Sequence, residues 1–221
     1  MRTLTLCVVA VSLALGSGPA GAEGGEVSAL VTNQRGEPLA DAVVLAFSQD
    51  KEVATPVQPG REEIDQINQE FVPHIKSISV GSAVDFPNKD NIRHHVYSFS
   101  PAKTFELPLY AGRPAHPVVF DRPGVVTIGC NVHDWMVGHI YVADTPHVGK
   151  TGADGRISLT HLPPGRYAVR VWHPRMVGSQ ESTSRSISLD QAGVADVAWQ
   201  LTLKADLRPR RAPVPGQSSY R

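Results

Sequence analysis

Apolar and polar positions alternate over short stretches of the chain, and no segment sustains a helical period. Runs rich in Val, Ile, Phe and Tyr are cut by Gly, Pro, Asn and Asp, the punctuation of short strands and turns. Strands are predicted over 27–31 and 43–47, on either side of the turn-forming Asn33-Gln34-Arg35-Gly36-Glu37-Pro38. Residues 60–70 are polar and predict one or two helical turns. Further strands are predicted over 75–80, 83–86, 96–99, 105–109, 118–120, 125–130 and 139–143. Beyond Asp144-Thr145-Pro146 they resume over 156–160, 167–172, 185–189 and 197–203. This density predicts an all-β protein of two sandwich-like units, with one enlarged sandwich as the alternative.

Charge narrows the picture by subtraction. Lys and Arg number 21 and Asp and Glu number 21, so no net field draws the chain to nucleic acid or to a membrane surface. Arg2, an apolar stretch over 4–15 and the small residues Ala20-Gly21-Ala22 predict a secretory signal over 1–22. That stretch is shorter than the roughly 20 residues a bilayer span needs. Export to the periplasm with no membrane span after cleavage is therefore expected, a retained anchor being the alternative. Residues 205–221, with Arg208, Arg210 and Arg211 among prolines, predict a disordered basic tail.

Of two cysteines, cleavage removes Cys7 and leaves Cys130 alone. A lone thiol in an oxidising compartment forms no internal disulfide and is open to oxidation, unless a metal holds it as thiolate. Cys130-Asn131-Val132-His133-Asp134-Trp135-Met136 supplies thiolate, imidazole and thioether in one loop between two strand patterns, and His94-His95 lies upstream. One thiolate, two imidazoles and one thioether are the donors of a blue-copper site. Alternation along a strand sends His94 and His95 to opposite faces, so one of them is the ligand. Taken singly, Cys130 could be a buried small hydrophobe, Met136 core filler and His133 a surface residue. Structural zinc rarely takes Met, and a thiol nucleophile needs a poised base and an orienting third group, which this loop does not offer. His116, His139 and His147 show no ligand spacing, so no second catalytic metal, and no enzyme, is expected.

Gly81-Ser82-Ala83-Val84-Asp85-Phe86-Pro87-Asn88 resembles the strand before the first His ligand of cupredoxins. Pro123-Gly124, the loop from Cys130, and Gly138-His139-Ile140-Tyr141-Val142 resemble their ligand hairpin, and Cys-x2-His-x2-Met is the spacing of the amicyanin loop. With Phe71-Val72-Pro73-His74, His94-His95-Val96-Tyr97-Ser98-Phe99 and Val171-Trp172-His173-Pro174-Arg175, most of the mature chain resembles the periplasmic cupredoxin-fold proteins called methylamine utilization proteins. Gly36-Glu37-Pro38-Leu39-Ala40-Asp41-Ala42, Thr151-Gly152-Ala153-Asp154-Gly155-Arg156 and Leu162-Pro163-Pro164-Gly165-Arg166-Tyr167 resemble a carboxypeptidase regulatory-like (transthyretin-like) domain.

These resemblances imply a cupredoxin-like Greek-key sandwich over 59–146, inserted into or packed on a small regulatory-like sandwich formed by 23–58 and 147–204. They imply copper on His94, Cys130, His133 and Met136, with His95, Asn88 and Asn131 in supporting hydrogen bonds, His95 standing where the family has a tying Asn. They imply an electron-transfer patch at His133 and Trp135, and a periplasmic redox partner such as a dehydrogenase or a cytochrome c. The expected function is a type 1 copper electron carrier. The alternatives are a copper-delivery protein and a non-redox module of the carbohydrate-binding-like fold.

Overall fold

The computed structural model describes residues 24–50 and 55–206, so the segment expected at 1–22 and nearly all of the tail expected at 205–221 lie outside the described residues. The chain begins with β1 (Gly25–Asn33) and β2 (Val43–Ser48). The middle carries β3 (Arg61–Glu63), β4 (Asp65–Ile67), β5 (Glu70–Val72), β6 (Ile75–Ser79), β7 (Ala83–Asp85), β8 (His94–Ser100), β9 (Lys103–Tyr110), β10 (Val118–Val119), β11 (Gly124–Gly129) and β12 (Val137–Ala143). It closes with β13 (Val148–Lys150), β14 (Arg156–Leu162), β15 (Gly165–Trp172), β16 (Arg185–Leu189) and β17 (Val194–Leu201). Among the described residues the chain is all-β, broken only by a 3-10 turn at Glu181–Thr183.

First and last strands combine. Sheets of order β14-β1-β17 and β13-β2-β15-β16 face each other across a core of Val27, Val31, Val44, Tyr167, Val171 and Trp199. Middle strands form the sheets β6-β12-β11-β8-β9 and β10-β7-β3, with the hairpin β4-β5 beside them. Their core holds Ile64, Phe71, Phe86, Phe120, Val126, Ile128 and Ile140, and it also contains Cys130 and Met136. A third cluster of Val43, Leu45, Ile75, Tyr141 and Ala143 joins the two halves, with Trp172 packed on it.

The seam explains β2. Val43, Val44, Leu45 and Ala46 are all buried, Val44 and Ala46 facing the first core while Val43 and Leu45 face the seam. A strand covered on both sides reads as a continuous apolar run rather than an alternating one. The segment ending in Trp172 also serves the seam: its indole lies 5.5 Å from the Tyr141 ring and 6.0 Å from that of His139.

Residues 60–70 correct the expectation of helical turns, for they form β3, β4 and the start of β5. Their polarity arises from ion pairs with residues distant in sequence rather than from a solvated helix. Arg61 pairs with Asp85 at 2.7 Å, Lys76 with Glu62 at 2.6 Å and Arg113 with Glu63 at 2.6 Å, while Ile64 and Gln66 turn inward. The strand β13 was not expected either. Its Gly149 leaves almost no apolar pattern, and it is held as a partner of β2 through Leu45↔Val148.

Candidate metal centre

The antiparallel pair β11–β12 ends at Gly129↔Val137, so residues 130–136 form the connection. The loop closes on itself. Cys130 N–H donates to the Met136 carbonyl at 3.2 Å, Met136 N–H to that of His133 at 2.9 Å, and Val137 N–H to that of Trp135 at 3.0 Å. Its first and last side chains, Cys130 and Met136, are therefore drawn down into the core, while Asn131, Val132 and Asp134 face solvent. Gly129 leaves room for the Tyr97 ring of β8, since a Cβ there would lie 3.1 Å from the ring's outer end.

Strand β8 supplies the other side. Its pairing with β9 shifts between His94 and Val96, an irregularity that buries His94 and His95 together on different partners. The Nδ1 of His94 lies 4.0 Å from Cys130 Sγ, and that of His133 lies 3.9 Å from the same sulfur. The two imidazoles stand 5.1 Å apart. Bonds of about 2.0 Å to nitrogen and 2.3 Å to sulfur would place two donors of a trigonal site about 3.7 Å apart. The observed separations fit within a few tenths of an ångström. His94, Cys130 and His133 form a three-donor group of this kind among the described residues, their donor atoms all lying within 4.8 Å of one another.

Burial gives the fit a second support. Cys130 sits among Ile128, Ile140 and Phe71 at 4% exposure, where a bare thiolate charge would be costly. A cation shared with two imidazoles removes that cost. Thiolate with imidazoles, and a thioether in the same core, is a soft to borderline donor set that fits copper.

Around His94 the polar groups are ordered. Its Nε2–H donates to Asp90 Oδ2 at 2.7 Å. Asp90 also accepts from Asn68 N–H at 2.6 Å and from Gln69 N–H at 2.8 Å. Burial works against the Asp90 charge, yet the donors Gln69, His94 and Asn68 outweigh it and hold the carboxyl below its usual range. Asn88 pins the same loop: its side-chain amide donates to the Ile92 and Tyr110 carbonyls, and its Oδ1 accepts the Asp90 N–H.

The structure thus brings His94, Cys130 and His133 together and places Met136 in the same core. Trp135 lies 5.1 Å from His133, ring to ring, with its indole nitrogen buried. His95 turns away from the group and donates to Glu106 at 2.8 Å instead of tying the ligand loops. Asn131 lies exposed on the loop, and Asn88 braces the segment before His94. Two neighbours escaped the sequence reading. Asp90 stands four residues before His94, with nothing in its spacing to distinguish it from a loop carboxylate. Tyr110 pairs with His94 across β8–β9 and donates to the Phe86 carbonyl. Its burial pushes the phenol up to about 12, against a hydrogen bond from Gln66 and with a small contribution from Cys130.

No protein family matches the chain, and no curated protein does. Among solved structures it is similar to a purple cupredoxin from Nitrosopumilus maritimus, 24% identical over 37% of this chain and 99% of that one, with a TM-score of 0.34. It is also similar to a copper-containing nitrite reductase from Thermus scotoductus SA-01, 23% identical over 44% of this chain and 27% of that one, TM-score 0.36. A variant of amicyanin in its reduced Cu(I) form is 19% identical over 44% of this chain and 98% of that one, TM-score 0.35. The chemistry of the centre is carried by its own donors and distances.

Proposed function

We propose that the protein is an exported type 1 copper protein that carries single electrons between periplasmic partners. The middle strands act as a cupredoxin-like unit inserted in a regulatory-like sandwich made by the chain's two ends. One observation carries the proposal: Cys130 Sγ lies 3.9–4.0 Å from a nitrogen of each of two histidines, buried in an apolar core. Copper held there supplies reversible one-electron cycling.

The residues would divide the work as follows. His94 and Cys130 would hold from the interior, and Met136, buried in the same core with its backbone tied to Cys130 and His133, would offer its thioether. His133, the partly exposed member, is the side on which a redox partner protein docks, with Trp135 against its ring and Val132 half exposed beside it. A stiff β-scaffold limits movement of these donors between oxidation states. Burial of His94, Cys130 and Met136 favours a carrier over a delivery protein, because exchange of the metal would require the loop to open.

A redox titration of the copper-loaded protein tests this, run beside competition with a soluble chelator. Reversible one-electron behaviour with slow loss of copper is expected. Rapid, complete transfer of copper to the chelator would instead make it a delivery protein.

A further inference from the structure

We propose that Asp90, seated on the turn of the β4–β5 hairpin, is a positioning residue. It fixes which nitrogen of His94 faces the metal, and through the ring it lowers the reduction potential. The inference rests on the copper reading above for its redox consequence, but not for its structural part.

The hairpin pairs Ile67 with Glu70, leaving Asn68 and Gln69 as a two-residue connection with φ of 55° and 61°. Two successive left-handed residues define the type I′ turn, which usually takes Asn-Gly or Asp-Gly. Gln69 is therefore an unusual occupant, and the turn it makes has a use. Both turn N–H groups point at one carboxylate, at 2.6 Å and 2.8 Å, in the manner of a backbone anion nest. From the loop side, Asp90 is held by its own N–H on Asn88 Oδ1 at 3.0 Å. Its side chain is 12% exposed, and the His94 side chain is fully buried.

A carboxylate accepts hydrogen bonds and cannot donate them. The 2.7 Å contact thus places the His94 proton on Nε2 and leaves the Nδ1 lone pair aimed at the position beside Cys130 Sγ. The ring cannot turn over without losing this bond inside the core. Carboxylate–imidazole–metal chains make the imidazole a stronger donor, and loss of such a carboxylate typically weakens metal binding by about 10–100-fold. A stronger, more negative donor favours the more highly charged oxidation state. Asp90 should accordingly tighten Cu(II) more than Cu(I).

The test compares Asp90→Ala and Asp90→Leu with Glu106→Gln in the full chain. The leucine variant keeps the size and offers no acceptor oxygen, which covers the case in which the alanine variant unfolds. Glu106→Gln is the matched control, altering the neighbouring His95–Glu106 pair, which faces away from the centre. In metal-free protein, long-range proton–nitrogen NMR should show His94 protonated on Nε2 in the wild type and control, and a mixture of tautomers in the Asp90 variants, neither of which offers Nε2–H an acceptor. With copper, the Asp90 variants should lose 10–100-fold in Cu(II) affinity. Each tenfold loss relative to Cu(I) raises the potential by about 59 mV. Wild-type affinity, potential and tautomer in both Asp90 variants would overturn the assignment. Should the wild type take up no copper, the carrier reading falls, and the metal-free tautomer still decides the matter. Protonation on Nε2 that depends on Asp90 upholds the assignment, and its persistence without Asp90 overturns it.

Discussion

Replacement of Met136 by Leu and by Ala separates a metal donor from a core filler. Met136 is 1% exposed in the cluster that contains Cys130, Ile128 and Ile140. Truncation to Ala deletes three buried heavy atoms. At about 0.8 kcal/mol per methylene-sized group the transfer loss is about 2.4 kcal/mol, and the residual cavity brings the cost into the range of about 2–5 kcal/mol. For a chain of this length 1 kcal/mol moves Tm by about 2–4 °C, so the metal-free Ala variant should melt roughly 6–12 °C lower for a mid-range cost of about 3 kcal/mol. Leu conserves the volume and should cost less than about 1.5 kcal/mol. The two substitutions therefore differ in packing but share the loss of sulfur. If the thioether faces the metal, both should raise the reduction potential and shift the visible spectrum, while only Ala lowers metal-free stability substantially. Thermal melts of metal-free protein and redox titrations of loaded protein measure the two effects. A Leu variant with the wild-type spectrum and potential would refute the role of the sulfur and leave Met136 as packing.

Two further outcomes follow from groups away from the loop. Burial, reinforced by the Arg175 cation and opposed by Asp41, holds His173 neutral down to about 4 from its ordinary 6.5. The unfolded chain binds that proton first on acidification, so stability falls as pH drops between about 6.5 and 4, by an amount of order 3 kcal/mol. Metal-free melts at intervals across that window should show the loss, and His173→Gln should flatten it; an unchanged slope would contradict the assignment. Thr183 accepts the Val171 N–H at 3.0 Å and donates to the Gln180 carbonyl at 2.6 Å, in the sandwich that the chain's two ends form. Thr183→Val leaves a buried N–H unpaired and should cost about 1–3 kcal/mol. The visible spectrum of its copper form should match the wild type, and a shifted band would show that the two sandwiches are electronically or mechanically coupled at the site.

The all-β character and the grouping of Cys130, His133 and Met136 on one loop could be read from the chain because each rests on local information. Alternating runs such as 185–189 coincide with a strand, and Cys130, His133 and Met136 share one connection whose ends are fixed by the last β11–β12 pair. What was not legible depends on partners distant in sequence. Residues 60–70 are polar because Asp85, Lys76 and Arg113, all distant in sequence, pair with their charges, and no local period reveals that. His95 was expected to support the ligand loops, but the register shift in β8 and the carboxylate of Glu106 take it elsewhere. Asp90 was missed for the same reason. Its meaning comes from the backbone of a hairpin more than twenty residues earlier, whose left-handed turn is invisible in the side-chain pattern of Asn68 and Gln69.

The most direct measurement is the visible absorption spectrum of the protein titrated with Cu(II), beside a Cys130→Ser variant prepared in the same way. Cys130 lies about 4 Å from a nitrogen of each imidazole, so a thiolate–copper bond should form and give one intense visible band at a stoichiometry of about one, absent from the serine variant. A protein that stays colourless and takes up no copper, or a band that survives the loss of Cys130, would contradict the account.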